Sequence, residues 1–259
     1  MRLMVENFAA SPATTITSSS ENPRFPVSNL KNPLRSVRTR SANTSDLAIV
    51  FDLATTEEID SIVLYWPKED GIRLSGSATV KIQANATNSW SSPAVDQTLT
   101  VDNRYMVASH FFTTDQSYRF WRVVISDSGN PYGYLELGKV WLGKGIDIPS
   151  AQNGFKSTLI DRSKVTRTDF GHDYVDVYPK QRRIEFSYVN MDYSDIETLE
   201  TAFDRNGIET PVMLVLDPTG SVFNKNHFLV YGKFSPSFGL SHVTYDVLNT
   251  DGISIEELS

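Results

Sequence analysis

The feature that most constrains the fold is a series of short segments with strand composition in the first 145 residues. About eight such segments, rich in β-branched and aromatic residues, are separated by Gly, Pro, Asn and Ser turn signals. One of them, 78–84 (ATVKIQA), alternates apolar and polar residues as a strand with one buried face does. Because no segment before residue 145 has helical periodicity, the pattern predicts a β-sandwich or β-barrel.

The sequence changes character near residue 145. The segment 143–150 (GKGIDIPS) combines two glycines and a proline, which indicates a linker. We therefore predict two domains, 1–145 and 146–259.

The second predicted domain contains one clear helical pattern. Ser194 and Glu197 fit a capping box, and Asn206 with Gly207 supplies a stop signal, so the helix is predicted at about residues 195–205. Its apolar stripe consists of Ile196, Leu199, Ala202 and Phe203. The other apolar segments, including 211–216 and 227–234, predict strands. The fold class is therefore mainly β, with the second domain a β-sandwich carrying one α-helix.

Composition excludes several kinds of site. The 259 residues include no cysteine, which excludes disulfides, thiolate metal sites and thiol nucleophiles. With 24 Lys and Arg residues against 31 Asp and Glu residues, the net charge of -7 argues against a general electrostatic grip on nucleic acid or anionic lipid. The apolar stretches are strand-sized, shorter than the ~20 residues of a membrane-spanning helix. The beginning of the sequence also lacks a signal-peptide pattern. We expect no sequence-specific nucleic-acid binding and no membrane insertion.

Catalytic and cofactor motifs are absent from the sequence. It contains no Gly-x-Ser-x-Gly, no His-Glu-x-x-His and no phosphate-binding Gly-x-x-x-x-Gly-Lys. The acidic pairs 57–58 and 256–257 are adjacent residues, which point to opposite faces of a strand. His227 and His242 are predicted on neighbouring strands, where ordinary polar positions are favoured over a shared metal. The sequence therefore predicts no enzyme, no cofactor and no metal.

Aromatic residues fall into two groups. Three lie in apolar strand patterns and are predicted to pack in the core: Trp66, Trp121 and Trp141. Trp90 lies in a predicted loop, where it either folds back on the sandwich or offers an apolar face to a partner or glycan. Tyr132 and Tyr134 flank Gly133 on another loop and have the same two interpretations. These three are candidate glycan or partner contacts.

Two groups of arginines are candidate contacts in an acidic chain. Arg35, Arg38 and Arg40 lie in one predicted loop, either as a solvated face or as contacts to carboxylates of a neighbouring subunit or to a glycan. The candidates for a contact between subunits in the second domain are Arg162, Arg167, Arg182 and Arg183.

Five segments in order carry a family resemblance. They are 51–53 (FDL), 59–64 (IDSIVL), 80–83 (VKIQ) followed by Trp90, 118–125 (YRFWRVVI) and 134–143 (YLELGKVWLG). Together they resemble the discoidin-like modules, also called coagulation-factor C-type or galactose-binding-like jelly rolls, over about residues 20–145. The resemblance implies a jelly-roll β-sandwich; no ligand residue follows from these motifs.

The second part adds a weaker set of segments: 182–186 (RRIEF), a helix, 207–212 (GIETPV), 216–218 (LDP) and 231–234 (YGKF). Behind a discoidin-like module, this order resembles the distal or minor tail proteins of long-tailed bacteriophages. The resemblance implies a tail-tube-like second domain and a structural role in the virion, at the tail tip, after synthesis in the host cytoplasm. It implies a homo-oligomeric ring, six copies with three as the alternative, that joins the tail tube to the tip hub or baseplate.

Two other functions stay open at this point. One is a carbohydrate-binding adhesion module that recognises a cell-surface glycan, with the second domain as an accessory. An outward discoidin-like domain that contacts host glycans is compatible with the ring. The other is an accessory domain of an enzyme whose catalytic part is on another chain.

Overall fold

A computed structural model describes residues 1–43, 46–67, 73–148, 154–189, 191–237, 239–244, 247–250 and 252–258. The described residues are mainly β, with antiparallel sheets and two α-helices, α1 (Tyr193–Asn206) and α2 (Val222–His227). The predicted mainly-β class is confirmed. Among the described residues, no helix has the length and hydropathy needed to cross a membrane.

Strands account for most of the regular structure. Two short 3-10 helices, Phe8–Ala10 and Val27–Lys31, accompany them near the start of the chain. The strands are β1 (Arg2–Met4), β2 (Thr15–Ser18), β3 (Thr39–Arg40), β4 (Asp46–Tyr65), β5 (Thr79–Asn85), β6 (Val95–Leu99), β7 (Val101–Asp102), β8 (Val107–Ser126), β9 (Glu136–Leu137), β10 (Lys139–Gly143), β11 (Ile146–Asp147), β12 (Phe155–Ile160), β13 (Lys164–Arg167), β14 (Asp173–Asp176), β15 (Gln181–Phe186), β16 (Val212–Val215), β17 (Leu229–Phe234), β18 (Leu240–Thr244), β19 (Val247–Thr250) and β20 (Ile253–Glu257).

The chain forms two compact units. The first unit consists of residues 2–146 and 216–229, and the second of residue 1 with 147–215 and 230–259. The segment 216–229 belongs with the first unit, which the sequence did not indicate. The later part of the predicted linker lies outside the described residues, and the independence of domains 1–145 and 146–259 stays a prediction.

Two 20-residue antiparallel strands, β4 and β8, form the centre of the first unit. The strand order is β10-β4-β8-β5-β6, with β2 beside the first half of β4 and β7 beside β8. The register of β4 and β8 shifts between Asp52 and Glu57, where Ala54 has a φ of 68°. Such an irregularity bends a strand locally and increases its twist. The sequence predicted these long strands as four shorter ones because the bend interrupts the apolar pattern.

The three tryptophans predicted for the core are all buried. Trp66 and Trp121 belong to the hydrophobic core cluster of the first unit. On β10, Val140 and Leu142 point into that cluster, whereas Trp141 is buried on the opposite side of the strand. The period-two alternation of β5 is also confirmed, since Val80 and Ile82 are buried in the core.

The second unit contains an antiparallel sheet in which β16, β17, β20, β15 and β12 follow one another. Helix α1 buries Ile196, Leu199 and Ala202, and the ring of Phe203 lies 5.5 Å from that of Phe234. The predicted apolar stripe is therefore confirmed.

The two ends of α1 differ in how well the sequence predicted them. The helix begins at Tyr193, after Asp192, so Ser194 lies inside the first turn and is not the N-cap as predicted. Its C-terminal stop is confirmed, since Gly207 has a φ of 47° and its N–H donates to the carbonyl of Phe203.

Helix α2 replaces the beginning of a predicted strand. Ser221 caps it by accepting a hydrogen bond from the Asn224 N–H, and the strand starts only at Leu229. His227 is thus the last residue of a helix, where its Nδ1 lies 2.6 Å from the Tyr105 hydroxyl. The side chain of His242 lies outside the described residues. Among the described residues, no group of three potential ligands is placed to hold a metal.

Lys139 is a buried cation in the first unit. Its Nζ donates to the carbonyls of Asn32, at 2.9 Å, and Leu30, at 3.3 Å. Burial lowers the pKa of Lys139 from 10.5 to about 8, because removal from water disfavours the charged ammonium.

This lowered pKa predicts a pH dependence of stability. Between pH 8 and 10.5 the unfolded chain binds the lysine proton and the folded chain releases it, so the free energy of unfolding rises with pH. The gain from this residue is about 3 kcal/mol at most. Urea denaturation of the protein and of Lys139→Met at several pH values in this range measures it. We expect the gain only in the unsubstituted protein, and parallel pH profiles would contradict the prediction.

Candidate functional site

Arg40 is the centre of a side-chain cluster at one end of the first unit. Strand β3 pairs with β9 so that Arg40 lies opposite Glu136. The guanidinium carbon of Arg40 lies 4.1 Å from the ring centre of Phe25 and 4.5 Å from that of Tyr134. Two aromatic rings therefore hold one cation, an arrangement that is attractive electrostatically. Arg40 and Tyr134 were both predicted candidates, and the tertiary structure brings them together.

Glu136 provides the negative charge of this cluster. Its side chain is fully buried, and its Oε2 lies 3.1 Å from Nε of Arg40 and 3.6 Å from Nη1 of Arg38. Arg38 and Arg40 were expected to face carboxylates of a neighbouring subunit or a glycan, but a carboxylate of the same chain lies beside them. We call Phe25, Arg38, Arg40, Tyr134 and Glu136 the Arg40 cluster. The sequence missed Phe25 and Glu136, because strand pairing and loop folding bring them to the arginines.

Tyr132 lies two residues before Tyr134 and is 55% exposed. Its N–H donates to Oδ1 of Asn130, and Nδ2 of Asn130 donates to Asp127 at 3.0 Å. Burial raises the pKa of Asp127, but hydrogen bonds from Ser75 and Asn130 outweigh that effect and hold its pKa below the usual range. A fixed carboxylate thus supports the loop that presents Tyr132 to solvent.

Arg35 and Trp90 have different surroundings. Arg35 is buried, and its guanidinium carbon lies 4.0 Å from the ring centre of Tyr65, so it does not present its charge at the surface. Trp90 is half-buried, donates from Nε1 to Asn88, and lies 4.5 Å from the guanidinium carbon of Arg122. Of the two interpretations of Trp90, the geometry favours the ring folded back on the sandwich.

Three of the four arginines proposed for a contact between subunits meet at strands β15 and β20 of the second unit. Nε of Arg182 lies 3.1 Å from Oε2 of the buried Glu257. Nη2 of Arg183 lies 3.0 Å from Glu256, which Arg162 also contacts. Each of these arginines is thus paired inside its own chain.

The pairing with arginines lowers the pKa of Glu256. Burial raises it, but the hydrogen bonds from Arg183 and Arg162 outweigh burial and lower the pKa below its usual value. Charge reversal at Arg182 or Arg183 would therefore place carboxylates side by side within one chain.

The most exposed apolar surface belongs to a two-stranded ribbon, residues 164–178, that contains β13 and β14. Arg167, the fourth arginine proposed for a contact between subunits, lies in this ribbon and pairs with Asp173 at 3.0 Å. Exposed large apolar side chains of the ribbon are Val165, Phe170, Tyr174, Val175, Val177 and Tyr178. Tyr174 and Val175 are adjacent and so point to opposite faces, yet both are exposed. Both faces of the ribbon therefore expose large apolar side chains.

Comparison with protein-family models found no match, and comparison with curated proteins found none. Solved structures similar to this chain include the family 32 carbohydrate-binding module of C. perfringens NanJ in complex with galactose, with 13% identity over 56% of this chain and 100% of that one, at a TM-score of 0.43. A chitosan-binding module from Paenibacillus sp. IK-5 is 22% identical over 54% of this chain and 99% of that module, at a TM-score of 0.41. The lectin domain of lectinolysin complexed with Lewis B antigen is 20% identical over 54% of this chain and 96% of that domain, at a TM-score of 0.44. These values do not assign the chain to a family.

The Arg40 cluster predicts a coupled effect on stability. Arg38→Met with Arg40→Met leaves Glu136 buried without its two cations, which should lower the free energy of unfolding by about 3 kcal/mol or more. Adding Glu136→Gln removes the buried charge and should recover much of this loss. Urea denaturation of the four proteins that result from combining these changes measures the coupling. Equal losses with and without Glu136→Gln would show that Glu136 does not depend on the two arginines.

Proposed function

We propose that the chain is a structural subunit, not an enzyme, that assembles with other copies of itself through its second unit. The exposed ribbon carries this proposal. Large apolar side chains exposed on both faces of two paired strands are unfavourable in water and are stabilised when another protein covers them. Strand β12 is the edge strand of the sheet in the second unit. Its outer edge is a second surface, suited to pairing with a strand of another chain.

We infer the setting of this assembly from the resemblance of the sequence to tail-tip proteins. In that setting the chain forms a ring at the tip of a long-tailed bacteriophage virion and joins the tail tube to the tip hub or baseplate. Six copies are proposed, with three as the alternative. A closed ring satisfies the ribbon and the sheet edge of every copy at once.

The paired arginines change which residues are proposed for the interface. Arg162, Arg182 and Arg183 neutralise carboxylates of their own chain, so their role is to hold β15 and β20 together. Arg167 also pairs within its own chain, with Asp173, but it lies on the exposed ribbon, which is then the surface available to a neighbouring subunit.

A second function, recognition of a host-surface glycan by the first unit, is favoured by the exposed Tyr132 near the Arg40 cluster. Aromatic rings offer apolar faces to the C–H groups of a sugar, and guanidinium groups donate paired hydrogen bonds to neighbouring oxygens. Carbohydrate is also named for the three similar modules, but the exposed ring of Tyr132 carries this candidate. The two functions are compatible, because different units perform them.

The assembly proposal predicts the mass of the protein in solution. Light scattering should give a single multimer, and electron microscopy should show rings. Val175→Glu with Val177→Glu places charges on one face of the ribbon and should reduce the mass to that of one chain. Ile208→Glu is the matched control, because Ile208 is 53% exposed in the same unit but outside the ribbon. An unsubstituted protein that stays monomeric at micromolar concentration would contradict the proposal.

The glycan candidate predicts binding on a glycan array. Tyr132→Ala should weaken the binding without affecting the fold, because the side chain is exposed. Lys81→Ala, on the exposed side of β5, is the control and should bind as before. No signal above background for the unsubstituted protein would exclude this second function for the glycans tested.

A further inference from the structure

The hairpin that carries the ribbon has two chemically different ends. Strands β12 and β15 pair from Phe155 opposite Phe186 at the base to Ile160 opposite Gln181. The ribbon continues from the second end. Its tip is a turn in which the Thr168 N–H donates to the carbonyl of His172 at 2.8 Å.

Phe170 is the most exposed large apolar residue of the ribbon. Its side chain is 90% exposed, and the neighbouring Gly171 has a φ of 81°, a conformation that fixes the turn. An aromatic side chain held on a hydrogen-bonded turn is a projecting apolar knob rather than part of a core.

A shallow cavity of about 280 Å³, largely open to solvent, lies at the base of the same hairpin. It is lined by Phe155 and Phe186, by Lys156 with Glu185 and Ser187, and by Gly154 with Gly252. A Cβ at Gly154 or Gly252 would meet no atom within 4 Å, so both glycines border open space. The volume lies just below the range of small-ligand pockets and suits one large side chain.

The knob of one chain does not fill the cavity of the same chain. The six residues of β12 span about 20 Å between the base and the start of the ribbon. Among the described residues, none covers the Phe170 side chain. A side chain that fills the cavity would therefore come from another molecule.

We propose that Phe170 of one copy inserts into the cavity at Phe155 and Phe186 of a second copy. This inference rests on the proposed assembly and specifies its contact. The cavity carries one cation and one anion, since Lys156 lies 3.5 Å from Glu185 of its own chain. The Lys156 side chain is 73% exposed, so it is also accessible to the exposed Asp169 that precedes the knob. The contact joins the Phe170 tip of one copy to the cavity of another. Each copy in a pair therefore keeps one surface, either its tip or its cavity, for a further neighbour. Such a heterologous contact produces a ring when its rotation closes.

The absence of cysteine from the sequence permits a specific cross-linking test. Asp169→Cys is made in one preparation and Lys156→Cys in another, so that Phe170 is retained and no chain carries both thiols. After mixing and mild oxidation, we expect a disulfide-linked heterodimer, because the proposed contact brings the two positions together. Ile208→Cys in place of Lys156→Cys is the control and should give about tenfold less product, since that pair gains no local concentration from the contact.

A second variant tests the knob itself. Adding Phe170→Ser to the Asp169→Cys chain should abolish the cross-link, whereas Phe170→Leu should retain it. Because Phe170 is exposed, neither change should affect the fold of a single chain. A multimer that cross-links no better through Lys156→Cys than through Ile208→Cys would overturn this contact and leave the proposed assembly standing. A protein that forms no multimer would overturn both.

Discussion

The antiparallel pairing of β4 and β8 is the constraint on which the first unit depends. Each strand is 20 residues long, and they pair from Leu47 opposite Ile125 to Leu64 opposite Ala108, with two register shifts between. All other strands of this sheet pair with one of these two, except β6, which pairs with β5. The positive φ of Ala54 lies within one of the register shifts, where an irregularity of this kind bends a strand locally.

Pairing of arginines with buried carboxylates is common to both units. Glu136 in the first unit and Glu257 in the second are buried, and each is contacted by an arginine that the sequence named only as a candidate contact. A buried carboxylate is costly unless a cation compensates it, so these arginines are needed where they are. The surface proposed for a partner is therefore apolar rather than basic, and consists of the ribbon and the cavity at the base of the β12–β15 hairpin.

Several local features were predictable because they depend on neighbouring residues. The alternation in β5, the stripe Ile196, Leu199 and Ala202, and the stop at Gly207 were all read correctly. The helix start was wrong by two residues, because Ser194 has the composition of a cap but Asp192 precedes the first turn. The second helix was missed because six residues are too few for a helical period to be distinguished from a strand.

The sequence by itself determined the β class, the burial of Trp66, Trp121 and Trp141, and the absence of thiol chemistry, since each follows from residue type and short-range period. Only the tertiary structure decided which candidate side chains meet. Arg40 reaches Tyr134 and Glu136, nearly a hundred residues away, through the pairing of β3 with β9. It also decided that the ribbon is uncovered, because an apolar strand segment has the same sequence pattern whether a sheet covers it or water surrounds it. The exposure of a side chain depends on the whole fold, whereas the periodicity of a segment depends only on a few neighbouring residues.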